Sequence, residues 1–293
     1  LIDKKRGVGS TLSPLGEKLI WADRRIFARL APTMDSLASE LEVELQKVIG
    51  GKPAGVRLRA SYAFAVAALH DVMKQRKIAH DLKYEASLEA VAGLAGGTCD
   101  IAGFHVPIGS FEKPAMAQYL NWLDPKKHML IEIVTRSQGL FVARGNPKRI
   151  RHLSDLTRNG VRFVNRQSGS GTRMLLDLML KQKKISSKKI AGYETSEFTH
   201  SAIAAYIASD MADVGFGVET AARLFKLDFV PFAKERYFLA CEKTQLALPQ
   251  VQEIIHIVQS APFKSAVRDI PGLTCNALGK VKTMEEAFPH SLK

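Results

Sequence analysis

The chain has 293 residues, 46% apolar and 24% charged, with an excess of 13 positive charges. That length accommodates about two globular domains, and no apolar run approaches the roughly 18–20 residues that span a bilayer. Cys99, Cys241 and Cys275 form neither a CxxC pair nor a zinc pattern, which argues against a disulfide framework and points to a reducing, cytoplasmic compartment. The first 50 residues carry 8 basic and 7 acidic side chains, so nearly all of the excess lies beyond them. A solubilising surface, an anionic ligand and a nucleic-acid partner would each account for it.

Residues 1–9 are basic and glycine-containing, with too few apolar positions for a core. Ser13 has the character of an N-cap, with Pro14 at the first helical position. A long helix follows, its apolar stripe running Leu15, Leu19, Ala22, Ile26 and Leu30, then Leu37, Leu41, Leu45 and Val48. Pro32 is expected to kink or divide it. So narrow a stripe, with charges opposite, suits a helix packed along one partner. Gly50-Gly51-Lys52-Pro53 is linker punctuation.

Beyond the linker the pattern is α/β. Strands are expected at 56–60, 78–84 and 99–104, alternating with helices at 62–77 and 87–95. This order predicts a parallel sheet covered on both faces. Strands at 129–134 and 140–143 mark a first crossing between two lobes, and strands at 228–232 and 236–241 mark a second. Between the crossings lie a short helix at 152–156, a strand near 161–164, a helix opening at Thr172, a helix at 201–209, a strand at 212–216 and a helix at 219–225. Helices at 250–260 and 263–269 follow the second crossing. The organisation expected is a helical segment at 1–50, one lobe from 51–138 with 236–293, and a second lobe from 139–235. Two lobes joined by two crossings leave a cleft, a usual place for a ligand.

The most specific stretch is 162–173, RFVNRQSGSGTR, where a strand passes through a Gly/Ser loop into a helix start. Unpaired N–H groups at a helix start, together with its dipole, favour an anion. Gly169 and Gly171 allow close backbone approach, Ser168, Ser170 and Thr172 add hydroxyls, and Arg166 and Arg173 add charge. Three similar turns are expected: Ser61-Tyr62, Gly103-Phe104-His105 and Thr199-His200-Ser201. In an open parallel sheet such turns gather at the carboxyl ends of the strands. Arg236, at the second crossing, is placed to reach the cleft. Ser61 and Thr199 also read as ordinary caps, His105 and His200 as polar turn residues, and Arg166 and Arg173 as surface arginines or partners for Asp177 and Asp155. No P-loop ending, dinucleotide fingerprint, GxSxG elbow, HExxH or paired carboxylates are present, so the expectation is binding without catalytic residues, metal or cofactor.

Two resemblances join these observations. Gly7-Val8-Gly9, then Leu12-Ser13-Pro14-Leu15-Gly16-Glu17 and the helix to about Ile49, resemble the wing and linker helix of LysR-type and ModE-like (molybdate-responsive) regulators. Residues 54–285 resemble the type 2 periplasmic-binding-protein-like domain attached to such DNA-binding heads, on the phrase 163–173 and on Asp213-Val214-Gly215-Phe216-Gly217. The resemblance implies a two-lobed α/β ligand domain preceded by a dimerisation helix. It also implies a homodimer or homotetramer through residues 11–49, and DNA contact in a longer protein through a helix-turn-helix that this sequence lacks. Lys4, Lys5 and Arg6, in what resembles the wing, would touch phosphate. The implied function is sensing a small oxyanion, molybdate or tungstate favoured, through Ser61, Tyr62, His105, Arg166, Ser168, Ser170, Gly171, Thr172, Arg173, Thr199, His200 and Arg236. A molybdenum-cofactor-related enzyme of the same fold and a transporter solute-binding protein are the alternatives.

Overall fold

The computed structural model describes residues 1–5, 9–50 and 55–292. Strands β1 (Ile2–Lys5) and β2 (Gly9–Leu12) form an antiparallel hairpin, with Ile2 opposite Leu12. Lys4 is exposed on β1 and Lys5 pairs with Gly9 through its backbone; Arg6 lies outside the described residues. Helix α1 (Pro14–Gly50) starts where Ser13 Oγ accepts the Gly16 N–H at 3.2 Å.

The expectation that Pro32 divides the helix is corrected: α1 runs through it as one helix of 37 residues. A proline in mid-helix leaves the carbonyl four residues back without its N–H. That carbonyl belongs to Ala28, and the Thr199 hydroxyl donates to it at 3.0 Å. An outside donor thus makes good the missing bond.

The main sheet is built from β3 (Val56–Ala60), β4 (His80–Tyr84), β5 (Ile101–Pro107), β6 (His128–Val142), β7 (Phe163–Arg166), β8 (Ser196–Glu197), β9 (Val214–Val218) and β10 (Asp228–Glu242). Their order is β4-β3-β5-β10-β6-β9-β7-β8, with β11 (Leu273–Thr274) and β12 (Val281–Thr283) also paired to β6. Pairs β3–β4, β3–β5, β7–β8 and β7–β9 are parallel; β6 and β10 are antiparallel to their neighbours.

Each crossing is a single strand of 15 residues, not the two short strands expected. The polar residues Arg136, Ser137 and Gln138 on β6, and Lys234 and Glu235 on β10, imitate a loop in sequence. They instead form the waist where one sheet passes between lobes. Register shifts at Pro231/Ala233 and Tyr237/Phe238 accompany that passage.

The helices are α2 (Phe64–Gln75), α3 (Ser87–Ala95), α4 (Glu112–Tyr119), α5 (Gly171–Gln182), α6 (His200–Ala208), α7 (Glu219–Leu224), α8 (Pro249–Gln259), α9 (Ala261–Arg268) and α10 (Met284–Ala287). They cover both faces of both half-sheets. In the first lobe Leu58, Leu69, Ile254 and Phe263 fill one face, and Phe104, Tyr119, Phe238 and Phe288 the other. In the second lobe Phe163, Leu175 and Phe216 oppose Phe141, Val164 and Ile203.

Helix α1 lies across both lobes. On the first, Ser39 Oγ accepts the Leu82 N–H at 2.9 Å and Ser36 Oγ the Tyr84 N–H at 3.1 Å, so two hydroxyls cover the edge strand β4. On the second, Trp21 stacks on Phe225 and Arg29 pairs with Glu197 at 3.2 Å. Its apolar stripe is left uncovered: Leu15, Leu19, Ile26, Leu30, Leu37, Leu41 and Leu45 are each at least half exposed. Among the described residues, no helix is long and apolar enough to cross a membrane.

Candidate functional site

The waist of the molecule holds a buried polar cluster. Arg136 on β6 stands directly opposite Glu235 on β10, and Arg136 Nε donates to Glu235 Oε1. Two residues along β6, Gln138 Nε2 donates to the same oxygen at 2.7 Å and to Thr172 Oγ1 at 2.8 Å. Thr172 belongs to the first turn of α5, which Ser170 caps by accepting the Arg173 N–H at 3.2 Å. At the end of β7, Arg166 donates through Nη1 to His200 Nε2 at 2.8 Å. A guanidinium only donates, so His200 is neutral with its proton on Nδ1. From the first lobe, Ser61 Oγ lies 3.5 Å from His105 Nδ1, and the His105 ring rests on Tyr237 with centroids 4.3 Å apart.

Burial governs the electrostatics. His105 and His200 are held well below the ordinary histidine range by desolvation, with Arg136 and Arg166 adding repulsion. Arg166 is pulled down to about 9 by burial and by Arg136, against the attraction of Glu235. Two guanidiniums, one carboxylate and two neutral imidazoles leave the cluster with one positive charge in excess. Among the described residues, His105 Nε2, Gln138 Oε1, Glu235 Oε2 and Tyr237 Oη are buried without a hydrogen-bond partner. Such orphans are uncommon in native interiors and call for an occupant. Among the same residues, no group of three or more His, Cys, Asp or Glu is arranged to hold a metal ion.

The lobes are closed over this cluster. The Leu88 N–H of α3 reaches the Gly169 carbonyl at 3.4 Å, across the lobes. Gly169 has φ +78°, the left-handed conformation that glycine adopts without strain. At Gly171 an added Cβ would sit 3.4 Å from both His105 Cβ and Tyr119 Oη, so α5 meets β5 at van der Waals distance there. The space left beside His105, Arg136, Tyr237 and the start of α2 holds at most one water. Entry of a larger molecule would require the lobes to part. A larger hollow of 660 Å³ lies under α1. It is open to solvent, its cations are already paired, Arg29 with Glu197, Arg59 with Asp81 and Lys83 with Glu85, and Glu40 and Glu44 on its wall repel an anion, so the waist is the better site for one.

Of the residues predicted from sequence, the structure gathers Ser61, His105, Arg166, Ser170, Gly171, Thr172 and His200 at the waist. His105 comes from within β5, not from the turn expected, because the strand stays paired with β10 as far as Pro107. Five others lie apart. Tyr62 packs edge-on against Tyr84, and Ser168 is exposed on its loop. Arg173 pairs with Asp177 at 3.3 Å and stacks on Tyr193. The Thr199 hydroxyl is spent on Ala28 and on capping Ala202. Arg236 takes the opposite face of β10 from Glu235, where it pairs with Glu112 at 2.9 Å beside Phe238 and Phe288. Sequence reasoning missed Arg136, Gln138 and Glu235. Their signal was polar residues two apart inside apolar strand pattern, which a strand directs to one face.

The profile of the PBP superfamily domain matches residues 69–259. The chain belongs to that superfamily. It is 32% identical over 203 residues to the uncharacterized protein YvgK of Bacillus subtilis (strain 168), a match spanning 68% of this chain and 64% of YvgK. It is 32% identical over 111 residues to an uncharacterized protein from the 5′ region of a 2Fe-2S ferredoxin gene in Clostridium pasteurianum, covering 38% of this chain and 98% of that one. Solved structures share the two-lobed PBP fold at low identity. A phosphate ABC transporter substrate-binding protein from Clostridium perfringens, with phosphate bound, superposes with TM-score 0.54 at 13% identity, over 75% of this chain and 98% of its own. A tungstate ABC transporter structure from Geobacter sulfurreducens gives 0.51 at 11%, over 73% and 97%. An OxyR variant from Corynebacterium glutamicum gives 0.51 at 14%, over 92% of this chain and 80% of its own.

Proposed function

We propose that this PBP-superfamily chain is the ligand-sensing part of a one-component cytoplasmic transcription regulator, binding a small anion between its lobes without turning it over. The observation that carries the reading is the buried waist cluster. It draws Arg166 and Thr172 from one lobe, His105 from the other and Arg136 and Glu235 from the crossings, carries excess positive charge and leaves polar atoms without partners. Closure assembles such a site and opening disperses it, so an anion bound there favours the closed form in proportion to its differential affinity.

The relay would run through Thr199, next to His200 at the site and bonded to Ala28 of α1. Helix α1 touches both lobes, so a change in their angle strains it, and its uncovered stripe suits a second copy of the chain. The OxyR match supports a regulator, because it covers 92% of this chain, a share that residues 55–293 alone cannot supply. DNA contact in the intact protein and a role for the β1–β2 hairpin in it belong to this reading.

The test is calorimetric titration with phosphate, sulfate, molybdate and tungstate. Arg166→Ala is expected to weaken whichever anion binds at least tenfold, about 1.4 kcal/mol. Unchanged affinity would remove Arg166 from the site, and no heat from any anion would sink the reading. The second reading is a solute-binding protein serving a transporter, favoured by the phosphate and tungstate ABC transporter proteins of the same fold. A monomer whose residues 1–50 are readily removed by protease would select it.

A further inference from the structure

The waist cluster contains acceptors as well as donors. Gln138 spends both hydrogen bonds of its amide nitrogen on Thr172 and Glu235, which fixes the amide orientation and leaves Oε1 as a buried acceptor. Glu235 is fully buried, and both of its bonds, from Arg136 and Gln138, fall on Oε1. Its Oε2 is a second buried acceptor, one that carries negative charge. A bare oxyanion has only acceptor atoms. It would satisfy neither of these groups and would be repelled by the carboxylate, and a buried acceptor left without a donor is destabilising. The charge balance points the same way, since an excess of one positive charge is neutralised by a monoanion.

Building on the anion-sensing reading, we propose that the site selects an anion carrying a hydrogen-bond donor of its own, with Glu235 as the specificity-determining acceptor and Gln138 beside it. A protonated oxyanion such as dihydrogen phosphate and a small hydroxy acid share this chemistry. Sulfate, and molybdate or tungstate at neutral pH, carry no proton and are discriminated against. Arg136 has a double part: it neutralises Glu235 while the site is empty and presents charge to the ligand when one arrives.

The experiment compares two pairs of probes on the full chain by titration calorimetry at fixed neutral pH. Phosphate is set against sulfate, and glycolate against acetate; each pair differs by a donor. At least one donor-bearing member is expected to bind ten or more times tighter than its counterpart, about 1.4 kcal/mol. The pair that responds tells an oxyanion from a hydroxy acid. Glu235→Gln supplies N–H groups where an acceptor stood and is expected to remove or invert the preference. Should that variant fold poorly, the wild-type ratios decide by themselves. Sulfate binding as tightly as phosphate together with acetate binding as tightly as glycolate, or molybdate binding tighter than both donor-bearing probes, would overturn the proposal while leaving an anion sensor. Heat from none of the probes, molybdate included, would overturn the anion-sensing reading and this inference with it.

Discussion

At the scale of single residues, the buried ion pair at the waist is the most consequential contact. The Arg136 and Glu235 side chains are 5% and 1% exposed, so neither charge has water to fall back on. Removing one partner of a buried pair leaves an uncompensated charge. Arg136→Met is therefore expected to lower unfolding free energy by about 3–5 kcal/mol in urea titration. Arg136→Met with Glu235→Leu should recover most of the loss, because it buries no charge. The histidines set the acid limit. His70 is lowered to about 4 by burial, with Lys74 and His80 adding repulsion, and His105 and His200 are also lowered. A group whose folded pKa lies below its unfolded value binds more protons when unfolded. Its contribution is complete above the ordinary histidine value of 6.5 and is lost as pH falls toward about 4. Urea midpoints are expected to drop across that window, and His70→Leu to flatten the slope. Arg166 and the Gly-Ser-Gly-Thr-Arg phrase were legible in sequence because their chemistry is local. Arg136 and Glu235 were not, because 99 residues separate them and only strand pairing makes them neighbours.

At the scale of elements, α1 shows a local rule yielding to its surroundings. Proline costs a helix interior one hydrogen bond, and here α6 supplies the donor through its N-cap. Thr199→Val strands both the Ala28 carbonyl and the Ala202 N–H, and about 1–3 kcal/mol of stability should go with them. In a Pro32→Ala background the helix supplies its own donor to Ala28, so the same substitution should cost less by about 0.5 kcal/mol or more, measurable as a double-mutant cycle. Equal costs in both backgrounds would disprove the compensation. Anion affinity of Thr199→Val is expected within about twofold of wild type, since the hydroxyl faces α1. The crossings make the complementary point. Polar residues at the middle of β6 and β10 look like loops until the cluster they build is seen.

For the whole molecule, the uncovered stripe of α1 is the dominant surface feature. Seven aliphatic side chains from Leu15 to Leu45, each at least half exposed, recur along a helix that touches both lobes. Contiguous apolar surface of this kind marks an interaction site. The chain is expected to be a dimer or larger by light scattering, and Leu37→Glu with Leu41→Glu to convert it to a monomer that keeps its anion affinity. A wild-type monomer would remove α1 as the pairing surface.

The alternation of strands and helices, the long amphipathic helix and the anion-favouring helix start are legible in the chain, because each is written in neighbouring residues through periodicity, capping and glycine placement. Strand register and lobe closure alone bring two polar strand centres together, stand a carboxylate among the arginines and bond the Thr199 hydroxyl to α1. No local pattern connects those residues.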